Sequence, residues 1–344
     1  MTTRLLADVA VCLPLDSALT YVVPDDLTDK VKPGRRVVVP VKSKLMTGIV
    51  WKVYHGEAAA PLKPIHEVAE QEPILTPDLM KLAEWISDYY VAPLGEVVAS
   101  MSPPQPGFRY LYRIVRDPGD LALAILESEE PEKAAILKAL RDGKPASIES
   151  LRRKTGLKGL RQHLDDLLKQ GYLECQAVLR ARRASKAGPQ PAEAIPQQRY
   201  HLTVHQAAAY EAIAAAITDN QFRVFLLHGV TGSGKTEVYL QAIDHAIRQG
   251  RKALYLVPEI GLTPQVMERV RRYFGQRCAV LHSQISSAER YRTWQAARRG
   301  EIDVVVGARS AVFAPLSKLG IIVVDEEHDA SYKQQESPRY NARE

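Results

Sequence analysis

The alternation of apolar and polar positions changes texture along the chain, and each texture predicts a different kind of domain. From Leu5 to Tyr54 short β-branched runs follow one another: Leu5 to Leu13, Ala18 to Val23, Arg36 to Pro40 and Thr47 to Tyr54. Turn signals at Pro24-Asp25-Asp26 and Pro33-Gly34 separate them, so this part reads as a small β-rich, barrel-like sheet. A helix follows from Pro77 to about Tyr90, with an apolar stripe at Leu79, Leu82, Ala83 and Ile86 that can close one face of the sheet. Tyr89 and Tyr90 continue that helix and read as packing residues. The prolines at 103, 104 and 106 close this first domain, residues 1–108.

Residues 109–180 follow a helical period instead. Helices are predicted over Pro131 to Asp142, Ser147 to Lys154 and Leu157 to Gln170, the last with apolar positions Leu157, Leu160, Leu164, Leu167 and Leu168. A strand pair within Tyr172 to Leu179 would complete a winged helix-turn-helix. The outward face of the third helix carries Lys158, Arg161, His163 and Lys169, which suits a phosphate backbone, with Arg161 the principal candidate contact. Asp165 and Asp166 share that helix, so a merely solvated face stays open as the second reading. Residues 181–200 offer almost nothing to bury and read as a linker, and a short basic run at Arg180, Arg182, Arg183 and Lys186 leads into it.

From residue 201 onward helix and strand alternate. A helix over Val204 to Ile217 precedes apolar strands at Phe222 to Leu227, Ala253 to Val257, Ala279 to Leu281, Asp303 to Val306 and Ile321 to Val324. Right-handed crossovers place these in a parallel sheet with their C-terminal ends on one edge, and the chemistry belongs at that edge. The first strand runs into Gly229-Val230-Thr231-Gly232-Ser233-Gly234-Lys235-Thr236-Glu237, a phosphate loop by its G-x-x-x-x-G-K-T spacing. Its glycines let backbone N–H groups turn inward around a polyphosphate, the following helix adds its positive end, Lys235 reaches the outer phosphates and Thr236 can ligate magnesium. The last strand ends in Asp325 and Glu326: a carboxylate for the magnesium of ATP and a neighbour that can orient or deprotonate water. An acidic pair after an apolar strand is a weak signal by itself; beside the phosphate loop it is a strong one.

Composition narrows the picture little further. With 46% hydrophobic and 25% charged residues the chain is an ordinary globular protein long enough for two to three domains, and its net charge of +6 permits a nucleic-acid partner without requiring one. Cys12, Cys175 and Cys278 are far apart, match no metal or redox spacing and fit a reducing cytoplasm. The apolar start is interrupted by Asp8 and Pro14, so neither a membrane span nor a secretory leader is expected.

Several stretches together resemble the primosomal protein N-prime (PriA) family of replication-restart helicases: GVTGSGKTEVY, VPEIGLTPQ at Val257 to Gln265, LHS at Leu281 to Ser283, GARSAVFAPL at Gly307 to Leu316 and DEEHDASYKQQESPRYNAR from Asp325. LPLDSALTYVVP and WISDYYVAPLGEVV extend the resemblance to the beginning of the chain. It implies a multidomain protein: a domain for the 3′ end of a DNA strand (1–108), a winged helix (109–180), a linker, and the first α/β, P-loop, RecA-like helicase lobe (201–344), with Asp325 to His328 as a DEAH-type box. It also implies a bacterial, nucleoid-associated, ATP-dependent 3′-to-5′ DNA helicase that recognises abandoned forks and starts primosome assembly. Expected partners are forked DNA with a 3′ end, single-stranded DNA, primosome proteins and single-stranded DNA-binding protein. Gln206 stands where the family has a nucleotide-contacting glutamine, and Thr20, Tyr21 and Lys63 stand in its 3′-end pocket, Thr20 replacing an acidic residue that helps read the terminal base. Thr263, Arg309 and Ser310 would hold DNA phosphates, and Tyr332, Lys333, Arg339 and Tyr340 interleave aromatics with cations as base stacking and backbone neutralisation require. The family's zinc-binding insertion, second lobe and C-terminal domain have no counterpart up to Glu344, so the chain reads as a fragment of low activity, with zinc a property of the longer members. The alternative is a P-loop ATPase that acts as a switch or assembly factor without separating strands.

Overall fold

The computed structural model describes residues 3–42, 44–57, 61–70, 72–103, 108–157, 159–179, 201–230, 232–261, 263–281 and 285–344. The linker 181–200, Lys158, Thr231, and His282 and Ser283 of the LHS stretch lie outside them. The chain gathers into two compact units, residues 1–105 together with 185–344, and residues 106–184.

The first unit begins with β1 (Arg4–Val11), β2 (Leu19–Val22), β3 (Arg36–Val41), β4 (Lys44–Gly56) and the two-residue β5 (Glu67–Val68), followed by α1 (Pro77–Tyr89) and α2 (Leu94–Met101). The strands form an antiparallel sheet in the order β2-β1-β4-β3-β5. An isolated bridge between Val22 and Pro64 joins the β2 edge to the segment that leads into β5. Side chains alternate across the pleat, so Ala7, Val9, Val11, Tyr21, Val37, Val39 and Val50 fill one core while Ala10 and Ile49 face the other way, against α1 and α2. Thr76 caps α1 by accepting from Leu79 N–H at 3.4 Å, with Pro77 in its first turn. The packing role expected for Tyr89 is not what forms. The helix ends there with Leu79, Ala83 and Ile86 turned inward, which leaves Tyr89 on the outer face, largely exposed and stacked on Trp85 at 4.8 Å.

The second unit comprises β6 (Phe108–Ile114), α3 (Gly119–Glu129), α4 (Pro131–Leu140), β7 (Ala146–Ser147), α5 (Ile148–Thr155), α6 (Leu160–Lys169) and β8 (Leu173–Leu179). Leu123, Ile136, Leu137, Leu140, Leu151, Leu160, Leu164 and Leu167 make its core. Tyr172 to Leu179 does not fold into a strand pair. It supplies the single strand β8, because β6 is already available as an antiparallel partner along its whole length. The third predicted helix starts at Leu160 rather than Leu157, since Gly156 closes α5 in the left-handed region, φ 72°, and Gly159 repeats that turn at φ 82°.

The first unit resumes with α7 (Val204–Thr218), α8 (Lys235–Arg248), β9 (Lys252–Leu256), α9 (Pro264–Phe274), β10 (Cys278–Leu281), α10 (Ser287–Arg298), β11 (Val304–Gly307) and β12 (Leu319–Val324). The four strands are parallel, in the order β10-β11-β9-β12, and their last residues, Leu281, Gly307, Leu256 and Val324, lie in one row. Buried Asp303 ties down the opposite edge, pairing with Lys252 at 2.5 Å and with Arg277 at 2.5 Å.

One expected strand is absent. Phe222 to Leu227 forms no ladder with any described strand, and β12 ends the sheet as an edge. An apolar run becomes a strand only where a neighbour accepts its hydrogen bonds, and here Phe222 remains 94% exposed, with Val224 and Leu226 close behind.

The two halves of the first unit share a core. Trp294 from α10, Phe313 and Tyr340 are buried among Ile74, Leu75, Ile86 and Met101. Beside them Arg36, only 1% exposed, donates to Glu70 at 3.1 Å and to the Pro103 carbonyl at 2.9 Å, and Tyr291 reaches the same Glu70 oxygen at 3.1 Å. Removing one partner of such a pair strands the other in a dry site. Arg36→Ala is therefore expected to cost about 3–5 kcal/mol of unfolding free energy in chemical denaturation, and an unchanged midpoint would show that the pair does not hold this junction.

Candidate nucleotide site and nucleic-acid contacts

The phosphate loop leads into α8, whose Thr236 and Tyr239 meet Asp325 at the C-terminal edge of the parallel sheet, and its shape follows from its glycines. Gly232 and Gly234 take φ of 81° and 80°, which a side chain would strain, and Gly234 caps α8 so that the helix N-terminus opens on the loop. A Cβ at Gly234 would lie 2.4 Å from the Gln206 amide nitrogen. Gln206 accepts from Thr203 N–H at 2.9 Å in a capping box that starts α7, and donates from Nε2 to the Ser233 carbonyl at 2.8 Å. It braces the loop backbone from outside. Lys235 donates to the carbonyls of Gly229 at 2.5 Å and Val230 at 3.3 Å, folding its ammonium back across the loop. Glu237 turns away into the core, where it pairs with Arg269 of α9 at 3.1 Å and accepts from Gln241 at 3.0 Å.

Asp325 follows β12, with its N–H bonded to the Leu256 carbonyl at 2.9 Å. Its Oδ2 accepts from two phenols, Tyr239 of α8 at 2.7 Å and Tyr255 of β9 at 3.0 Å, while Oδ1 accepts from Glu326 N–H at 3.1 Å. Tyr239 O–H also lies 3.1 Å from the Thr236 hydroxyl. Tyr332 donates to the Asp325 carbonyl at 2.6 Å. Burial pushes the Tyr239 phenol up to about 12 and drives Tyr255 and Tyr332 upward as well, with the Asp325 charge adding to the rise in all three. They therefore stay neutral donors at any ordinary pH. Glu326 is exposed in the left-handed region at φ 47°, at the mouth of a cleft lined by Val257, Pro258, Ile260 and His328. A hydroxyl and a carboxylate are hard oxygen donors of the kind magnesium takes alongside phosphate oxygens, so Thr236 and Asp325 fit that ion.

The expected nucleic-acid contacts scatter more widely. Thr263, Ser310, Lys333, Arg339 and, in the second unit, Arg161 are exposed. Thr263 caps α9 by accepting from Val266 N–H at 3.3 Å. Tyr332 and Tyr340 do not offer stacking faces, being 2% and 3% exposed, because the last segment folds back into the sheet's core. Arg309 is spent on that same segment, donating to the Ser331 and Lys333 carbonyls at 3.3 and 2.9 Å. In the first sheet Thr20 donates to Asp8 at 2.8 Å, Lys63 donates to the Lys42 carbonyl at 2.7 Å, and Tyr21 is buried.

The tyrosines that hold Asp325 were not anticipated from the sequence. A signal was there: Tyr255 interrupts an otherwise apolar parallel strand, and a buried phenol needs a partner for its O–H.

A phosphate loop and a carboxylate at the C-terminal edge of a parallel sheet define a P-loop nucleotide-binding protein. Residues 203–342 match the DEAD/DEAH box helicase family and residues 8–103 match the 3′DNA-binding domain of PriA. Among curated relatives, the replication restart protein PriA of Chlamydia pneumoniae is 33% identical over 99% of this chain and 46% of its own length. Those of Bacillus subtilis and Haemophilus influenzae are 32% and 34% identical, over 96% and 97% of this chain and 49% and 46% of theirs. The chain belongs to the PriA family, and it spans about half the length of the curated relatives it matches. Among the described residues no helix is long and apolar enough to cross a membrane.

Gly234→Ala is expected to weaken nucleotide binding roughly tenfold, since about 1–2 kcal/mol of left-handed strain adds to the displacement of Gln206. Titration with a fluorescent ATP analogue measures this; unchanged affinity would mean that the loop does not need its present shape.

Proposed function

We propose that this chain carries the DNA-docking and ATP-binding parts of an ATP-dependent DNA helicase that restarts stalled replication, moving 3′ to 5′ from abandoned forks. The observation that carries the reading is the meeting of Thr236 and Asp325 through one phenol at the sheet edge, in a chain whose opening matches a domain for DNA 3′ ends. The proposed division is a 3′-end domain over 1–108, a winged helix over 109–180, a linker over 181–200 and a helicase lobe from 201. The partners this reading supplies are forked DNA with a free 3′ end, single-stranded DNA, other primosome proteins and single-stranded DNA-binding protein.

In this reading Lys235 leaves the Gly229 and Val230 carbonyls to neutralise the outer phosphates, and the loop amides and the start of α8 face the remaining oxygens. Thr236 and Asp325 hold magnesium, which when bound screens the phosphate charge. Glu326, exposed at the cleft, orients and deprotonates the attacking water. Thr20 and Lys63 face the terminal nucleotide. Arg161, Thr263, Ser310, Lys333 and Arg339 neutralise backbone phosphates, so DNA affinity falls as salt rises.

The helicase assignment is tested in a full-length protein. Lys235→Ala is expected to lower DNA-stimulated ATP hydrolysis by orders of magnitude while binding to forked DNA survives; normal hydrolysis would remove the loop from the reaction. Glu326→Gln is expected to keep ATP affinity and stop turnover, and an equal loss of both would refute its separate role as base.

A further inference from the structure

We infer that Tyr239 is a positioning residue for the magnesium ligands, the shared outer partner that orients both Thr236 and Asp325, with Tyr255 as a second anchor on the carboxylate. The inference rests on the nucleotide reading above and assigns a role to two side chains which that reading leaves without one.

A phenol has a single proton, and the 2.7 Å contact shows Tyr239 giving it to Asp325 Oδ2. The contact with Thr236 at 3.1 Å must then run the other way, with the threonine hydroxyl donating to the phenol oxygen. Thr236 thereby turns its proton inward and keeps its lone pairs free for a cation. Tyr255 adds its proton to the same Oδ2 at 3.0 Å. One oxygen of Asp325 is therefore fixed by two donors, and the carboxylate cannot swing. Both rings are held in turn: Tyr239 and Tyr255 are buried, lie 5.3 Å apart, and belong to α8 and β9, neighbours across the sheet. Outer partners of this kind decide how well metal ligands are aligned before the metal arrives, and their loss typically weakens metal binding by about 10- to 100-fold.

The test is the magnesium dependence of nucleotide binding by the 344-residue chain, measured by titrating a fluorescent ADP analogue at several free magnesium concentrations. Tyr239→Phe keeps the ring and removes only the hydroxyl. It is expected to raise the magnesium requirement about 10- to 100-fold while affinity for the analogue without magnesium stays at the wild-type value. Tyr255→Phe, which touches one ligand only, is expected to shift the requirement in the same direction by less. If Tyr239→Phe shows wild-type magnesium dependence, or loses magnesium-free affinity to the same extent, the positioning role is wrong and nucleotide binding itself stands. Should Tyr239→Phe fail to fold, an unchanged magnesium requirement in Tyr255→Phe overturns the inference. Wild-type protein whose binding ignores magnesium would overturn both this inference and the reading beneath it.

Discussion

Two buried phenols grip one oxygen of Asp325, a third holds its carbonyl, and through these bonds α8, β9 and the segment after β12 are fixed to one another at a single point. The parallel sheet makes this possible. Its four strands end in one row, so residues 236, 239, 255 and 325, distant in sequence, arrive within a few ångströms. A carboxylate at such an edge is costly to bury without donors, and the tyrosines supply them without bringing a second charge. What results is an anionic centre held in place beside a loop built to face phosphate.

A second constraint works at a larger scale. The antiparallel sheet of the first hundred residues and the parallel sheet share a core around Trp294, Phe313 and Tyr340, and Arg36 pairs with Glu70 beside it. The closing stretch of the chain passes through that junction. Tyr332 packs beneath the nucleotide edge and Tyr340 against the helices of the first sheet, while Arg309 holds the backbone on either side of Tyr332. Lys333 and Arg339 are left outside. A segment whose alternation suggested a stacking surface is thus half structural, because the sheet needed its aromatics more than solvent did.

Local pattern was enough for most elements. The β-branched runs and their turn signals mark β1 to β4 within a few residues, Pro77 and the apolar stripe after it mark α1, and the apolar runs mark β9 to β12. The phosphate-loop spacing and the acidic pair were legible as well, because each is a contiguous string whose chemistry follows from residue types. Other features required the neighbours. Whether Phe222 to Leu227 joins a sheet depends on a strand beside it, and apolar content cannot report that. The same holds for Tyr172 to Leu179, whose partner β6 begins more than sixty residues earlier.

The sequence by itself determined most element types, the position of the phosphate loop and the family, since these depend on spacings within a few residues or on runs of matching residues. Only the tertiary structure decided where side chains of ambiguous character went. Tyr89 turned outward while Tyr332 and Tyr340 turned inward, and Glu237 became buried against the half-exposed Arg269. Tyr239 and Tyr255 became partners of Asp325. The physical reason is common to all of them. An amphipathic or charged side chain has one favourable state in water and another against a satisfied partner, and the choice depends on which atoms the fold brings within about three ångströms, information that no local window of the sequence contains.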